Sequence, residues 1–365
     1  MKLAPPTAAE FDGSQRSVEQ VVKAGRFIFA DARAWPWCVL AFGVLSALID
    51  PAFTTTAAPW PFVIALFVFG MPHGCADWIV AARLSGRVGA WSRISGFTGY
   101  LCQMLACLAL MALLPGVAAL MFLCLTMFHF GMADATAVGA DKDGFVARWG
   151  LALGRGMLLL STAFAAHPVA AWAPFEQIET ALSAWQHGAA SAWMPTPQEM
   201  RPLAMIGVGA GVVFALASAA ARARRGHARA AVLDLVEHAL VASMAALADP
   251  LFAVGMFFIG VHAFRHTRRL ACTKTIIAPS YTTTHIITPP YTTNNFLARL
   301  VRVHVISLPL LWPTIPCMIP LCLLLGGFNA HSLAVASIAF YMITTLPHHL
   351  LGLRLPAADL SPAAA

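Results

Sequence analysis

Long apolar stretches separated by short charged loops dominate the sequence and constrain its fold more than any other feature. A helix needs about 20 mostly apolar residues to cross a bilayer, and ten stretches meet or approach that length. Their predicted starts are Trp35, Trp60, Phe97, Gly116, Gly150, Pro202, Ala231, Pro250, Val303 and His331. Apolar and polar residues do not alternate within the stretches, as they would in the strands of a transmembrane β-barrel. The pattern predicts an all-α fold, a polytopic membrane bundle of about eight to ten transmembrane helices.

Composition agrees with a membrane protein and excludes a soluble globule. Charged residues make up 11% of the chain and hydrophobic residues 59%, whereas about a quarter of a soluble domain is charged. The net charge is +7, but the basic residues flank apolar segments, so topology explains them better than a nucleic-acid partner. The eight cysteines form no CxxC pair, and we expect buried free thiols.

The distribution of Lys and Arg orients the predicted helices. Cytoplasmic loops carry an excess of these residues, and a cytoplasmic N-terminus places nearly all of the loop Lys and Arg residues inside. The opposite loops, including the long stretch 167–201, hold almost no basic residue besides Arg201. We therefore predict a multi-pass protein of the inner cell membrane with ten helices and both termini in the cytoplasm.

Three regions are predicted along the chain. Residues 1–34 form a polar cytoplasmic segment that lacks the apolar core of a signal peptide. Residues 35–352 form the transmembrane helical domain with the candidate catalytic site, and 353–365 form a C-terminal tail. Within the domain, 273–296 is rich in Thr, Pro and Tyr, so we predict a loop there.

Ionisable side chains within the predicted helices mark a candidate site, because such residues are costly in lipid and usually face the bundle interior. His73 and Asp77 are four residues apart and share one face of the second helix. His262 and His266 have the same spacing on the eighth helix. Two imidazoles on one helix face can share a metal ion, although a single histidine in an apolar helix is more often an ordinary hydrogen-bonded residue.

The predicted topology brings further histidines to the same depth. Helices two, four, eight and ten run from outside to inside, and the inner parts of the fourth and tenth hold His129 and the pair His348 and His349. Several neutral imidazoles without a Cys ligand suit iron, copper or zinc. Asp77 and Asp134 can accept the second ring N–H of a ligand histidine. We expect a metal site near the cytoplasmic face.

Four short motifs surround these histidines. Residues 70–77 read GMPHGCAD, 128–134 read FHFGMAD, 249–266 end in HAFRH, and 346–348 read LPH. In this order they resemble the G-x-P-H-G-x-x-D, H-F-G-x-x-D, H-x-x-R-H and P-H elements of the Brp/Blh family. Its members are integral-membrane β-carotene 15,15′-dioxygenases that make retinal in rhodopsin-bearing bacteria and archaea.

The resemblance implies a non-haem iron enzyme that cleaves β-carotene with O2 at the central 15,15′ double bond, giving two molecules of all-trans-retinal. It implies that the catalytic Fe(2+) is held by His73, His129, His262 and His266. The supporting residues around these ligands are expected to be Asp77, Asp134, Arg265 and His348. We expect Arg265 to pair with Asp134 or Asp77, or else to reach the membrane interface. The retinal would supply a rhodopsin.

A carotenoid is a long hydrocarbon that partitions into the bilayer, so we expect an apolar tunnel that exchanges substrate with lipid. Large apolar side chains near the histidines are its predicted lining: Phe69, Trp78, Phe128, Met256, Phe257, Phe258 and Tyr341. Such residues also serve as ordinary packing or lipid-facing groups.

Two alternatives stay open at the level of sequence. A lipid desaturase or hydroxylase with a di-iron site would need clustered histidine boxes, and only two histidine pairs are clustered here. A transporter or carotenoid carrier would use the polar helix faces as a path and need no metal. A light-driven rhodopsin does not fit, because the lysines all lie outside the predicted helices: Lys2, Lys23, Lys142 and Lys274.

Overall fold

The computed structural model describes residues 31–84, 90–185, 193–273 and 296–355, and all regular elements within these ranges are helical. The α-helices are α1 Ala34–Ile49, α2 Pro51–Thr56, α3 Trp60–Ala65, α4 Gly70–Cys75, α5 Asp77–Leu84, α6 Ala90–Leu113, α7 Pro115–Ala137, α8 Phe145–Ala166, α9 Pro168–Trp185, α10 Pro197–Arg224, α11 Ala228–Leu247, α12 Pro250–Phe257, α13 Phe264–Cys272, α14 Phe296–Leu324 and α15 Ala330–Gly352. A 3-10 helix spans Ala140–Asp143, and a π-helical segment, Phe258–Ala263, joins α12 to α13. The predicted all-α fold is confirmed.

Seven helical stretches in the described ranges are long and apolar enough to cross a membrane. Two further apolar helices, Ala34–Ile49 and Phe97–Leu113, are shorter. A continuous helical stretch, Pro250 to Cys272, forms a tenth segment. Each of the ten predicted segments is therefore helical, and together they form a polytopic membrane bundle.

The outer surface of the bundle is apolar, as contact with lipid requires. Ile49 is 81% exposed, Ile206 is 70% exposed and Trp312 is 78% exposed. A soluble monomer rarely exposes contiguous apolar patches of this kind. These side chains indicate that α1, α10 and α14 face the acyl chains.

Several helices begin before their predicted starts, and α10 shows why. It begins at Pro197 instead of Pro202 because Thr196 caps it and Glu199 completes a capping box. Proline at the first helical position removes only an N–H that would have no partner there. These polar residues extend the helix beyond its apolar run.

One helix has no counterpart among the predicted segments. The expectation of a loop over 167–201 is wrong for Pro168–Trp185, which forms α9. Trp172 on α9 is fully buried and packs against Phe164 of α8, with ring centroids 6.0 Å apart. Glu176 and Glu179 lower the hydropathy of this stretch, so the sequence does not predict a transmembrane helix there.

The helices on either side of α9 pack antiparallel. Gly154 of α8 lies against Ala215 of α10, and Ser161 of α8 lies against Gly207 of α10. A full crossing by α9 would make α8 and α10 parallel. The end of α8 and the start of α10 therefore lie on the same side of the bundle, in agreement with the predicted topology.

The second predicted segment is broken at Phe69, which has a φ of +57°. The Gly70 N–H donates to the Val68 carbonyl oxygen at 2.6 Å, which makes a γ-turn of the rare strained form. A methyl group on Gly70 would overlap the Ala65 carbonyl oxygen. Glycine is therefore required at the first position of the GMPHG motif.

A second break separates His73 from Asp77. Ala76 lies in a turn between α4 and α5, so His73 and Asp77 belong to two successive helices instead of the single predicted one. Both side chains remain buried, and the turn lets each reach a different partner.

The predicted terminal regions and loop fall largely beyond the described ranges. Residues 1–30, 274–295 and 356–365 lie outside the described residues. The proposed N-terminal segment, the Thr/Pro-rich loop and the tail therefore remain predictions.

Candidate metal centre and adjoining cavity

Six buried histidines meet in the described part of the bundle: His73, His129, His262, His266, His348 and His349. The ring centroid of His73 is 5.0 Å from those of His266 and His348. The rings of His129 and His262 are 4.6 Å apart. One ring nitrogen each from His73, His262 and His348 can be chosen so that all three lie within 4.8 Å of one another.

The predicted ligand histidines therefore converge from three separate helices. His73 comes from α4 and His129 from α7, while His262 lies in the π segment and His266 follows in α13. Short π segments inside α-helices occur frequently at functional sites because they reposition side chains. His348, expected as a supporting residue, lies within the cluster itself.

Hydrogen bonds fix which nitrogen is available on two of the rings. His73 Nδ1 donates to the Phe69 carbonyl oxygen at 2.8 Å, so its Nε2 keeps a free lone pair. His348 Nδ1 is 2.6 Å from the Asp77 carboxylate, and the Tyr100 hydroxyl donates to the same carboxylate. A carboxylate that holds the second nitrogen of an imidazole is the usual support of a metal-ligating histidine.

Several ring nitrogens of the cluster are buried without a hydrogen-bond partner in the described residues. They are both nitrogens of His262, Nε2 of His266 and Nε2 of His348. A buried polar atom without a partner is costly, and native structures contain few of them. An all-imidazole donor set fits a first-row metal ion, which would satisfy these nitrogens together.

His129 and His349 form a pair of their own. Their Nδ1 atoms are 3.0 Å apart, so one must donate and the other accept. If His129 is the donor, its Nε2 lone pair stays free for a metal ion. In that arrangement His349 would support His129 as Asp77 supports His348.

A buried ion cluster lies directly behind the histidines. The Arg265 guanidinium is 2.9 Å from Asp134 and 2.7 Å from Glu237, with donors on separate nitrogens. Arg155 bonds the same two carboxylates, at 3.1 Å in the case of Asp134. The pairing of Arg265 with Asp134 is one of those predicted, whereas the expectation that Asp134 accepts from a ligand histidine is wrong. Two guanidinium groups hold Asp134 instead, because charge-assisted bonds are stronger.

The ion cluster continues towards Arg33, just before α1, and Asp143, just before α8. Arg33 bonds Asp234 at 2.6 Å and Glu237 at 3.2 Å. Arg222 bonds Asp143 at 2.6 Å and also contacts Asp234. Together with Arg155, Arg265 and Asp134, the cluster contains four arginines and four carboxylates. Their charges cancel, as burial of charged groups requires.

The sequence contains a signal for this ion cluster that lies outside the histidine motifs. Arg155, Arg222, Asp234 and Glu237 all lie inside apolar helices, where charged residues are rare and usually paired. Their opposite signs predict pairing, but the choice of partners depends on helix packing.

A cavity of about 380 Å³ adjoins the histidine cluster, a volume within the range of small-molecule sites, about 300–1,000 Å³. Its wall contains four of the clustered histidines: His73, His129, His262 and His348. The remaining lining is mainly apolar and includes Phe97, Met104, Phe122, Phe164, Phe175 and Ile338. Leu101 and Cys317 line the cavity and are also exposed, so the cavity reaches the lipid-facing surface at α6 and α14.

Two of the predicted tunnel residues line this cavity. They are Phe258 and Tyr341, whose ring centroids are 5.0 Å apart. The other five lie elsewhere in the described structure: Phe69, Trp78, Phe128, Met256 and Phe257. Phe257, for example, is fully buried in packing against Phe130. Helical periodicity predicts that a residue is buried, but it does not separate a cavity wall from a packed core.

Comparisons with known proteins identify the family of the chain. A family model described as beta-carotene 15,15'-dioxygenase matches residues 64–355, a range that includes all six clustered histidines. A curated relative from Halobacterium salinarum, named probable beta-carotene 15,15'-dioxygenase Blh, is 27% identical over 269 residues, which are 71% of this chain and 75% of the relative. No solved structure matches the chain. Because the family match covers most of its length, the chain belongs to the β-carotene 15,15′-dioxygenase family.

Proposed function

We propose that this chain cleaves β-carotene with O2 at the central 15,15′ double bond, giving two molecules of all-trans-retinal. The observation that carries the proposal is the group of four histidines in the wall of a mainly apolar cavity. Imidazoles without hydrogen-bond partners beside a hydrocarbon-lined space provide a metal-binding position next to a polyene. Membership of the dioxygenase family supports the same reaction.

The proposed metal ion is Fe(2+), and its proposed ligands are His73, His129, His262 and His266. When bound, iron would supply the activation of oxygen, which amino-acid side chains do not provide. The short distances among nitrogens of His73, His262 and His348 add His348 as a further candidate ligand. Asp77 and Tyr100 hold the ring of His348 in place.

The protein's own part in the reaction is to bind and orient the polyene and to exclude water. The cavity wall offers aromatic rings such as Phe258 and Tyr341 to the conjugated chain. Cleavage at the central bond requires that this bond lie beside the histidines, with each half of the substrate held by the apolar walls. The opening at α6 and α14 would let substrate enter from lipid and retinal return to it.

The proposed setting is the inner cell membrane, where the bilayer supplies the carotenoid and receives the retinal for a rhodopsin. Residues 35–352 are the proposed catalytic domain, with 1–34 and 353–365 as cytoplasmic ends.

Expression in cells that accumulate β-carotene tests the reaction. We expect loss of colour and appearance of retinal, measured by chromatography, with the intact chain. The His129→Ala variant should give none, whereas His331→Ala, which alters an exposed histidine outside the cluster, should give normal amounts. Unchanged carotenoid with the intact protein present in the membrane and iron supplied would contradict the proposal.

A further inference from the structure

The strained turn at Phe69 links two histidines through one residue's backbone. The Phe69 N–H donates to Nε2 of His304 at 3.3 Å, and the Phe69 carbonyl oxygen accepts from Nδ1 of His73 at 2.8 Å. His304 lies on α14 and His73 on α4. His304 lies outside the four motifs, yet two successive hydrogen bonds through the backbone of Phe69 connect it to His73.

The protonation states along this path are mutually consistent. His304 Nδ1 donates to the Leu300 carbonyl oxygen at 2.9 Å, which leaves the Nε2 lone pair free to accept from Phe69. His73 likewise carries its proton on Nδ1, because a carbonyl oxygen can only accept. Its Nε2 is therefore available on the side of the ring that meets His266 and His348.

The backbone conformation at Phe69 needs support from its surroundings. A positive φ is a rare state for an aromatic residue and persists only where neighbouring structure holds it. Here the Phe69 ring packs against the rings of His304 and Phe264, with centroids 5.5 and 5.7 Å away. His304 thus contacts both the ring and the N–H of the strained residue.

We propose that His304 is a positioning residue. By accepting a hydrogen bond from the Phe69 N–H, it stabilises the γ-turn at Phe69. The Phe69 carbonyl oxygen in turn orients the ring of His73 so that Nε2 faces the metal site. This inference rests on the proposed metal centre, but it does not require that the substrate be a carotenoid. Deletion of the His304 acceptor is predicted to loosen one ligand while leaving the others in place.

The test uses Co(II) as the probe, added to the purified full chain in detergent without carotenoid. His304→Phe keeps an aromatic ring of similar size and removes the acceptor nitrogen. His304→Gln keeps an acceptor. Ser307→Ala alters a neighbouring buried residue whose hydroxyl donates to the backbone carbonyl oxygen of His304 and so leaves the imidazole unchanged. Binding is measured by competition with a chelator, and the ligand geometry by visible absorption of the bound ion.

We expect His304→Phe to weaken Co(II) binding by about 10-fold or more, the loss typical of a group that orients a ligand, and to change the absorption spectrum. His304→Gln should recover most of the affinity and the spectrum, and Ser307→Ala should match the intact chain. In the His73→Ala background, His304→Phe should cause no further loss, because both changes act on the same ligand.

Intact affinity and an unchanged spectrum in His304→Phe would overturn the inference. An additional loss of affinity in the His73→Ala background would do the same, since it would show that His304 acts elsewhere. If His304→Phe does not insert in the membrane, His304→Leu provides the same removal of the acceptor. Failure of the intact chain to bind Co(II) would contradict the metal centre itself and this inference with it.

Discussion

At the scale of single residues, the surroundings of His348 define its role most clearly. One ring nitrogen meets the Asp77 carboxylate, and the other is buried without a partner beside His73 and His262. A negative partner on Nδ1 makes Nε2 a better electron donor to a metal ion. Asp77 would thereby act on the proposed metal site through His348.

Replacement of Asp77 by Asn is predicted to lower iron affinity and retinal formation by about 10- to 100-fold, the usual cost of losing a carboxylate behind a ligand histidine. Asn keeps an acceptor oxygen but loses the charge. Iron content of the purified protein and retinal yield measure the effect. Glu176→Gln, at an exposed position on α9, is the control. Full iron content together with normal turnover in Asp77→Asn would show that Asp77 has no such role.

The identities of the central histidines could be predicted, but not all of their supports. His262 and His266 are four residues apart, and this spacing alone brings them to one side of a helix. His349 and His304 contact partners more than 200 residues away in sequence. Such pairings depend on how deep each helix sits in the bundle, and helical periodicity does not contain that information.

At the scale of helices, the buried ion cluster ties together α7, α8, α11 and α13. Arg155 contacts Asp134 and Glu237 away from solvent, since all three side chains are fully buried. Removing one member of a buried ion pair is far more costly than the pair's net contribution. The cluster also includes Arg265, whose neighbour in sequence is His266.

Arg155→Met is therefore predicted to destabilise the protein by about 3–5 kcal/mol, because it leaves buried carboxylates undercompensated. Thermal unfolding in detergent measures the change, and lower yield in the membrane should accompany it. The matched control is Arg224→Met, which removes an exposed arginine and should leave the melting temperature nearly unchanged. Equal melting temperatures for both variants would contradict this account of the cluster.

Close contact between α7 and α8 depends on glycine. A methyl group on Gly131 would overlap the Ala152 carbonyl oxygen, whereas one on Gly209 of α10 would meet open space. Gly131→Ala is predicted to cost about 1–3 kcal/mol through overpacking, and Gly209→Ala to be neutral or slightly stabilising. Thermal unfolding of the two variants compares them directly. A stable Gly131→Ala variant would mean that these helices can separate at little cost.

Most helices could be predicted from apolar length alone, and the exceptions have physical causes. Helix α9 was not predicted because it contains two glutamates and Pro174. These residues are tolerated because the helix covers part of the bundle without crossing it. The break at Phe69 was not predicted because its N–H bonds to His304, which lies on a helix far away in sequence. Local sequence does not encode such a contact.

At the scale of the whole molecule, the antiparallel packing of α8 and α10 gives the relative directions of these two helices, and the positive residues predict their orientation in the membrane. The turn at Gly226, next to Arg224 and Arg225, is predicted to be cytoplasmic. Thr196 caps the other end of α10 and should face the opposite side.

Labelling of introduced cysteines tests this orientation. An impermeant thiol reagent should label Gly226→Cys only in inside-out vesicles and Thr196→Cys only in right-side-out vesicles. The reverse pattern would invert the topology. Labelling of both positions from one side would mean that α10 does not cross the membrane.

The most direct test of the central claim is turnover by the purified protein in detergent, with iron content measured on the same sample. The account predicts about one iron ion per chain, bound by the histidine cluster, and two molecules of retinal for each β-carotene consumed. Removal of iron by a chelator should abolish the reaction, and added Fe(II) should restore it. Cleavage at another double bond, or unchanged turnover after the iron has been removed, would contradict the account.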